Sequence, residues 1–377
     1  ILVYYIYIFW LLLVKTNIFR SSDLTFPMIG MLLMVFIHFR DIFRLPKIIL
    51  GLALIHLVYF LVFEISDFES LKYLLARLTF MIFFSIMLFR SGINDIMNIF
   101  KINGIICFVL LLACLFINKT LTPGRYSGVF SNPNELGAMS IYCFTAFSSQ
   151  IFFNQKKLII VALLLSFTMV ILSGSRISLA SLVIVFIFFN KIKISKKIFY
   201  FSLLSIPFIG FLTQTVERII EGDIFGGRLL NWAVTYNSIL QKWYFGHGLK
   251  SYDGMTEDSI YSSEGAEFGL ASAHSGYLTY ILMFGVPLGI VLIIIKLYPF
   301  LYSMKKNERH NLNPLFNLSR ITTGLWLIYG IVEIMFTGVN DLEIILYFSS
   351  WITLVHFLND KKIKKGNIIN DYRFNYK

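Results

Sequence analysis

Two arginines occupy positions at which the sequence predicts the start of a helix. Arg176 follows the turn 173–175 (Ser-Gly-Ser), in which Ser175 is a suitable N-cap for the hydrophobic run after it. Arg228 follows two glycines and opens a segment whose apolar residues recur at helical spacing. A helix N-terminus carries partial positive charge, so a cation is unfavourable there unless a phosphate or another anion binds the guanidinium and the free backbone N–H groups. The alternative for each arginine is contact with solvent or lipid headgroups.

Arg125 is a third cation, in the polar stretch 123–135 that leads into a hydrophobic run. The end of this stretch predicts a helix start. Asn132 is a suitable N-cap, Pro133 suits the first helical position, and Glu135 completes a capping box. Arg125 has no such structural role, and we therefore predict that it binds substrate.

Two further cations lie inside hydrophobic runs. Arg77 is near the outer end of a predicted span, where it either faces a polar cavity and binds substrate or extends to the membrane surface. Lys296 is near the cytoplasmic end of a later span, and extension of its side chain to the surface is enough to explain it.

Two of the six histidines, His247 and His274, are predicted to lie on the same side of the membrane as Arg125, Arg176 and Arg228. His274 begins a predicted span, and an imidazole at the mouth of a helix bundle suits the role of a proton acceptor near neutral pH. His247 stands between two glycines of a predicted tight turn, where both a structural role and substrate binding remain open.

The elements that position these residues are hydrophobic helices. Of the 377 residues, 57% are hydrophobic and only 14% are charged, and the mean hydropathy is +0.74. The apolar residues form runs that approach the roughly 20 residues needed to cross a bilayer. We therefore predict an all-α, polytopic integral membrane protein of about twelve transmembrane helices, at residues 1–14, 24–39, 46–63, 71–89, 102–117, 135–153, 157–173, 176–190, 197–213, 275–298, 319–338 and 342–358.

The charges between these spans predict their orientation. Alternate segments, counted with the tail from residue 359, contain 21 Lys and Arg residues on one side of the membrane and 9 on the other. Because cytoplasmic loops carry the excess of Lys and Arg, both chain ends are predicted to be cytoplasmic. Residues 1–14 are followed by no small-residue cleavage site, so we expect a first span that begins before Ile1 rather than a signal peptide.

The remaining organisation follows from this topology. Residues 1–377 are predicted to be a single transmembrane domain with a short extracytoplasmic loop at 118–134 and a large one at 214–273. The large loop contains a short amphipathic helix from Arg228 to about Trp243, which we expect to lie on the membrane surface. Residues 359–377 form a basic cytoplasmic tail suited to anionic lipid.

Several kinds of site are missing from the sequence. There is no P-loop, no Rossmann fingerprint, no HExxH and no Cys/His metal set. We therefore predict no cofactor, no metal and no nucleic-acid partner, and we expect an activated substrate that is carried by lipid and reached from the outer side of the membrane.

The same polar stretches resemble the bacterial O-antigen polymerase and O-antigen ligase family, and they occur in the family's order. They are an Arg followed by Gly-Val-Phe and Asn-Pro-Asn at 125–134, the turn with its arginine at 173–176, Gly-Arg leading to Gly-His-Gly at 227–248, and His-Ser leading to Gly285. The chain departs from the family pattern at 285–289, where Gly-x-x-x-Gly replaces the usual Gly-x-x-Gly.

The resemblance implies a GT-C-like fold and metal-independent, inverting glycosyl transfer on the outer face of a bacterial cytoplasmic membrane. The donor and the acceptor would be glycans on undecaprenyl diphosphate, and a chain-length regulator is a further possible partner. Arg176, Arg228 and His274 would be catalytic, with His274 as the base. Residues that would bind the diphosphate or the rest of the substrate are Arg125, Arg176, Arg228, Arg77 and His247.

Three functions remain open at this point. We favour a polymerase that extends O-antigen or capsular repeat units, because such enzymes are more numerous and more divergent. A ligase would transfer the finished glycan to lipid A-core and requires an outer membrane. A flippase of lipid-linked glycans would be expected to have internal repeats and charges near the middle of the membrane, whereas here the polar residues crowd into outer loops and helix ends.

Overall fold

The computed structural model describes residues 1–15, 25–117, 120–122, 125–130, 132–149, 151–152, 155–189, 228–252, 273–305, 313–337 and 341–359. The elements in chain order are α1 (Leu2–Lys15), α2 (Thr25–Ile37), α3 (Phe39–Ile42), α4 (Lys47–Phe63), α5 (Phe68–Arg90), α6 (Ile93–Cys114), β1 (Thr120–Thr122), β2 (Arg125–Tyr126), α7 (Pro133–Ser148), α8 (Lys156–Ser173), α9 (Arg176–Phe189), α10 (Arg228–Gln241), a 3₁₀ turn (Leu249–Ser251), α11 (Gly276–Met304), α12 (Pro314–Val332) and α13 (Leu342–Asn359).

Six of the described helices are long and apolar enough to cross a membrane, namely α5, α6, α8, α11, α12 and α13, and α1, α2, α4 and α9 are shorter apolar helices. A described helix coincides with each predicted span except 197–213, which lies outside the described residues. The prediction of an all-α polytopic membrane protein is therefore confirmed.

Some helix ends differ from those predicted. α6 begins at Ile93 rather than near 102, because the Asp95 carboxylate accepts a hydrogen bond of 3.3 Å from the Gly92 backbone N–H and so caps the helix in a polar stretch. α12 was predicted to run to 338, but it ends at Val332 because Glu333 adopts an extended conformation (φ −142°, ψ 154°). The residues from Glu333 to Thr337 therefore form a turn and not the end of a span.

α11 is not one straight helix, as predicted for 275–298, but breaks at Gly285 (φ 76°, ψ 168°). Such a positive φ is favourable for glycine alone among ordinary residues. Gly289 then lies against the backbone of Ile281, so closely that a Cβ on Gly289 would be 2.8 Å from the Cα of Ile281. The five-residue spacing of Gly285 and Gly289 thus serves a break followed by close packing of the two halves of α11.

A small hairpin precedes α7. β1 and β2 pair in antiparallel fashion, with Thr122 opposite Arg125. The backbone of Arg125 is therefore held by a strand pair that the sequence did not predict, only a few residues before the start of α7.

Arg77 and Lys296 are both buried in the helix bundle, with 2% and 0% of their surface exposed. The Arg77 guanidinium lies 3.9 Å from the ring centroid of Phe348 and donates a hydrogen bond of 2.6 Å to the carbonyl of Phe336. The Lys296 ammonium has no hydrogen-bond partner among the described residues and faces aromatic rings at 4.7–5.9 Å, those of Tyr280, Trp326, Phe336, Phe348 and Trp351. The prediction that Lys296 extends to the membrane surface is therefore wrong, because its side chain points into this aromatic cage. We call Arg77 and Lys296 the caged cations.

Candidate functional site

Glu333 is the residue around which the polar side chains gather. It directly follows α12, and its own backbone carbonyl accepts a hydrogen bond of 2.9 Å from Gly276, the first residue of α11. Because α12 ends here, the carboxylate projects from the end of the bundle instead of into the helix packing, and 18% of the side chain is exposed.

The two carboxylate oxygens of Glu333 face different partners. Oε1 accepts a hydrogen bond of 2.5 Å from the Arg228 guanidinium, whose side chain is also 18% exposed. Oε2 lies 3.9 Å from Nδ1 of His274, a side chain that is 38% exposed. One carboxylate thus contacts the first residue of α10 and the imidazole just before α11.

Asn134 links this carboxylate to Arg125. Its side-chain nitrogen donates to Oε1 of Glu333 at 2.9 Å, and its side-chain oxygen accepts from the Arg125 guanidinium at 2.5 Å. Asn134 lies in the first turn of α7, where the Asn132 side chain caps the helix by accepting from the Asn134 backbone N–H at 2.8 Å. We call Arg125, Asn134, Arg228, His274 and Glu333 the polar cluster.

The predicted cap of α7 is confirmed at Asn132 and Pro133. The Asn132 side chain accepts its hydrogen bond from the backbone N–H of Asn134, whereas the backbone N–H of Glu135 donates to the Asn132 carbonyl. The residue that sequence analysis passed over in this motif, Asn134, is the one that joins two charged side chains.

The turn before Arg176 is attached to the polar cluster through Arg125, whose Nε donates 3.1 Å to the Ser173 carbonyl. Gly174 ends α8 in the left-handed conformation (φ 56°), and the half-buried Arg176 starts α9 two residues later. Behind it the Ser178 hydroxyl accepts a hydrogen bond of 2.7 Å from Tyr329 of α12. The starts of α7 and α9 and the end of α12 therefore come together, and Arg176 lies at this junction.

His274 has a strained backbone. Its φ of 42° makes it the one described residue other than glycine with a positive φ, and such a conformation costs about 1–3 kcal/mol unless the surroundings impose it. Ser275, the next residue, caps α11 and lies 3.4 Å from the Gly330 carbonyl. The chain directly after His274 is thus held to the end of α12.

The turn that carries Glu333 is anchored from beneath. Phe336 is fully buried, and its carbonyl accepts a hydrogen bond from Arg77. The Trp326 indole N–H donates a hydrogen bond of 2.5 Å to the Met335 carbonyl. At the end of the turn the Thr337 hydroxyl donates 2.6 Å to the Tyr252 carbonyl. Arg77, predicted to bind substrate, thus contacts the turn that carries Glu333.

His247 is held in the loop between α10 and the 3₁₀ turn. Its Nε2 lies 2.7 Å from the Ser238 carbonyl of α10, and its backbone N–H donates 2.7 Å to the Leu282 carbonyl of α11. Both oxygens of Glu64 accept from the Leu249 backbone N–H, at 3.0 and 2.8 Å. Burial raises the pKa of Glu64, and the hydrogen bond from Leu249 opposes that rise. The contacts of His247 thus connect α10 to the broken part of α11.

Chemically, the polar cluster combines guanidinium groups suited to oxyanions with an imidazole and a carboxylate suited to proton transfer. Within the part of the chain that the structure describes, no group of three or more His, Cys, Asp or Glu residues is arranged to hold a metal ion. Sequence analysis missed Glu333 because the predicted span 319–338 ran through it. An acidic residue inside a predicted span was itself the available signal.

A family model described as O-antigen ligase matches residues 161–293. This match confirms the resemblance to the O-antigen polymerase and ligase family, whose members are membrane glycosyltransferase-like enzymes, and it implies lipid-linked glycans as substrates. The match supports, in general terms, a function of the O-antigen ligase or polymerase type. Comparison with curated proteins gives no match. The matched residues include Arg176, Arg228, His247 and His274, whereas Arg125, Asn134 and Glu333 lie outside the match.

Proposed function

We propose that this protein polymerises oligosaccharide repeat units carried on undecaprenyl diphosphate, on the outer face of a bacterial cytoplasmic membrane. The observation that carries the proposal is the polar cluster. Arg228 and His274 share one carboxylate, and Asn134 brings Arg125 to the same carboxylate. An anion-binding group and a proton acceptor therefore stand side by side, as glycosyl transfer from a diphosphate requires.

In this proposal Arg125, Arg176 and Arg228 bind the diphosphate and stabilise the charge that develops on it as it leaves. His274 takes the proton from the acceptor hydroxyl. The electron pair of that hydroxyl oxygen forms the new bond to the anomeric carbon, and the bond from this carbon to the diphosphate oxygen breaks with inversion. The contacts of Arg77 and His247 favour a supporting role for both, one beneath the Glu333 turn and the other between α10 and α11.

The distribution of Lys and Arg over the loops supports an outer location of the cluster. It is tested by single cysteines. One introduced at position 261 is expected to react with a membrane-impermeant thiol reagent added to intact cells, and one at position 307 is not. The reverse pattern would put the cluster on the cytoplasmic side and exclude this function.

A ligase is the second candidate, because the matching family model is described as O-antigen ligase. A deletion strain separates the candidates when its sugar chains are resolved on a gel. Loss of a polymerase leaves one repeat unit on the acceptor, and loss of a ligase leaves none on the lipid A-core. Loss of a flippase, the alternative from another class, leaves the lipid-linked unit on the inner leaflet. One repeat unit is the outcome that we expect.

A further inference from the structure

We infer that Glu333 is a positioning residue of the same site: its carboxylate orients the His274 imidazole and stabilises the imidazolium that forms when the acceptor hydroxyl loses its proton. This inference rests on the proposed function. It concerns a residue outside the family match, and it assigns the two oxygens of Glu333 separate tasks.

The two oxygens of the Glu333 carboxylate have different partners. Oε1 is already occupied by Arg228 at 2.5 Å and Asn134 at 2.9 Å, so these two contacts fix the plane of the carboxylate. Oε2 is the oxygen directed at His274 Nδ1, 3.9 Å away. An N–H···O hydrogen bond needs about 2.7–3.2 Å, so the imidazole has only a short distance to move.

The side chains of His274 and Glu333 differ in their freedom to move. The Glu333 carbonyl accepts a hydrogen bond from the Gly276 backbone N–H, and Ser275 contacts the Gly330 carbonyl, so the chain directly after His274 is held against the end of α12. The His274 side chain is the more exposed of the two, at 38% against 18% for Glu333. A change in the His274 side-chain rotamer, and not a movement of the helices, therefore closes the gap.

A hydrogen bond between His274 and Glu333 would prepare the imidazole to accept a proton. When Nδ1–H donates to Oε2, the lone pair of Nε2 points away from Glu333 and toward incoming substrate. A carboxylate in this position holds the imidazole in one tautomer and stabilises its protonated form. The proton of the acceptor hydroxyl passes to Nε2, and the oxygen keeps the electron pair with which it attacks the anomeric carbon.

The surrounding charges act in a known direction. Arg228 faces the carboxylate from α10, Arg125 faces it through Asn134, and Arg77 lies beneath the turn at Phe336. Tyr329 lies one turn earlier in α12, and its backbone carbonyl accepts a hydrogen bond of 2.8 Å from the Glu333 backbone N–H. These described neighbours are cationic or neutral, so Glu333 is the negative charge among them that stabilises an imidazolium.

The test uses full-length protein in detergent and the lipid-linked oligosaccharide that accumulates in a strain lacking it. Glycosyl transfer is measured against pH for the wild type and for Glu333→Gln, which keeps the size of the side chain and removes its charge. Because a positioned general base contributes about 10²–10⁴-fold and Glu333→Gln leaves the imidazole itself in place, we expect kcat to fall by about 10–100-fold, with little change in the KM for the lipid-linked donor. We also expect the acid limb of the pH profile to move to lower pH.

The matched control is Glu69→Gln. Glu69 lies at the start of α5, with a side chain 63% exposed and a single ion pair to Lys72. It is expected to retain wild-type rates and an unmoved pH profile. Glu333→Asp keeps the charge but withdraws it by one methylene, and is expected to give a rate between those of the wild type and Glu333→Gln.

Two results would overturn the inference. One is an equal loss of activity at every pH with the acid limb unmoved, which is the behaviour of a purely structural residue. The other is a raised KM with unchanged kcat, which would make Glu333 a donor-binding residue only. If Glu333→Gln does not fold, the pH profile of Glu333→Asp decides, and an acid limb identical to that of the wild type rejects the inference. A wild-type protein that transfers no sugar refutes the proposed function itself, whereas an active wild type with an unaffected Glu333→Gln refutes only this assignment.

Discussion

The polar cluster and the caged cations place the same kinds of side chain in opposite surroundings. Arg228 is partly exposed and contacts a carboxylate, and its neighbour His274 is more exposed still. Arg77 and Lys296 are buried inside the helix bundle. Their neighbours there include aromatic rings and the backbone carbonyl of Phe336. A charge of the first kind can exchange its partner for an incoming anion, whereas a charge of the second kind has no access to one.

The comparison teaches that the position of a cation in the sequence does not determine its task. Arg77 lies inside a span and Arg228 outside any predicted span, and both were predicted to bind substrate. Their partners separate them, because Arg77 holds the turn that carries Glu333 while Arg228 contacts Glu333 itself. Functional and supporting cations are therefore distinguished by partner and exposure.

The largest expected effect comes from truncating residues at the exposed site. Arg176→Ala, Arg228→Ala and His274→Ala are each expected to lower transfer by a factor of about 10² or more, because in the proposed mechanism each removes a group that acts on the reacting atoms. Long-chain polysaccharide should be absent on a gel while the amount of protein in the membrane is unchanged. Lys72→Ala, which removes an exposed cation paired with Glu69, is the control. Near-normal chain length in all three variants would remove the catalytic assignment.

The caged cations should respond differently from each other. Arg77→Met loses a charged hydrogen bond to the Phe336 carbonyl and is expected to lower the free energy of unfolding by about 2 kcal/mol, together with activity. Lys296→Met removes a buried charge that has no hydrogen-bond partner among the described residues. Replacing a buried charge by an apolar residue of similar size is often neutral or stabilising, so we expect stability within about 1 kcal/mol of the wild type or above it. Thermal unfolding in detergent measures both, and equal destabilisation by the two variants would erase the distinction.

A smaller effect is expected for Arg228→Lys. The ammonium keeps the charge near Glu333 but loses the planar pair of donors that suits a diphosphate. We expect a loss of transfer smaller than that of Arg228→Ala, measured as kcat/KM with the lipid-linked donor. Full activity in this variant would mean that Arg228 provides a general positive charge and no specific geometry.

The smallest effect concerns Glu64, a carboxylate bonded by a backbone N–H group. Burial raises its pKa above the ordinary value of 4.5, so its contribution to stability is complete below pH 4.5 and is lost as pH rises through the raised pKa. The Gln side chain of Glu64→Gln does not titrate. The thermal stability of this variant should therefore decline less with rising pH than that of the wild type. Melting curves between pH 4 and 8 compare the two proteins, and parallel curves would contradict the assignment.

Much of this fold could be predicted because hydrophobic runs and capping residues are local signals. The start of α7 followed from Asn132 and Pro133, and the start of α10 from Arg228. The break at Gly285 could not be located in the same way, because it depends on the loop after α10. The Val286 backbone N–H donates a hydrogen bond of 2.7 Å to the Trp243 carbonyl, and a Cβ on Gly285 would lie 2.2 Å from the Tyr244 carbonyl oxygen.

The candidate site was predictable where a residue violated a local preference. Arg228 and His274 were found in this way, and they do share a partner in the structure. Glu333 and Asn134 were missed for different reasons. Glu333 was assigned to a span, whereas the role of Asn134 depends on the meeting of α7 with the end of α12. Their partners come from distant parts of the chain, which spacing along the sequence does not reveal.

The Phe336 ring occupies space that two glycines leave empty. A Cβ on Gly276 would lie 3.0 Å from this ring, and one on Gly330 would lie 2.5 Å from it. Adding a single methyl group at either glycine therefore pushes the ring, and with it the carboxylate three residues earlier. Side-chain volume at these two glycines consequently controls how Glu333, His274 and the arginines of the polar cluster are aligned. Larger residues there would displace the site in steps without altering any of its charges.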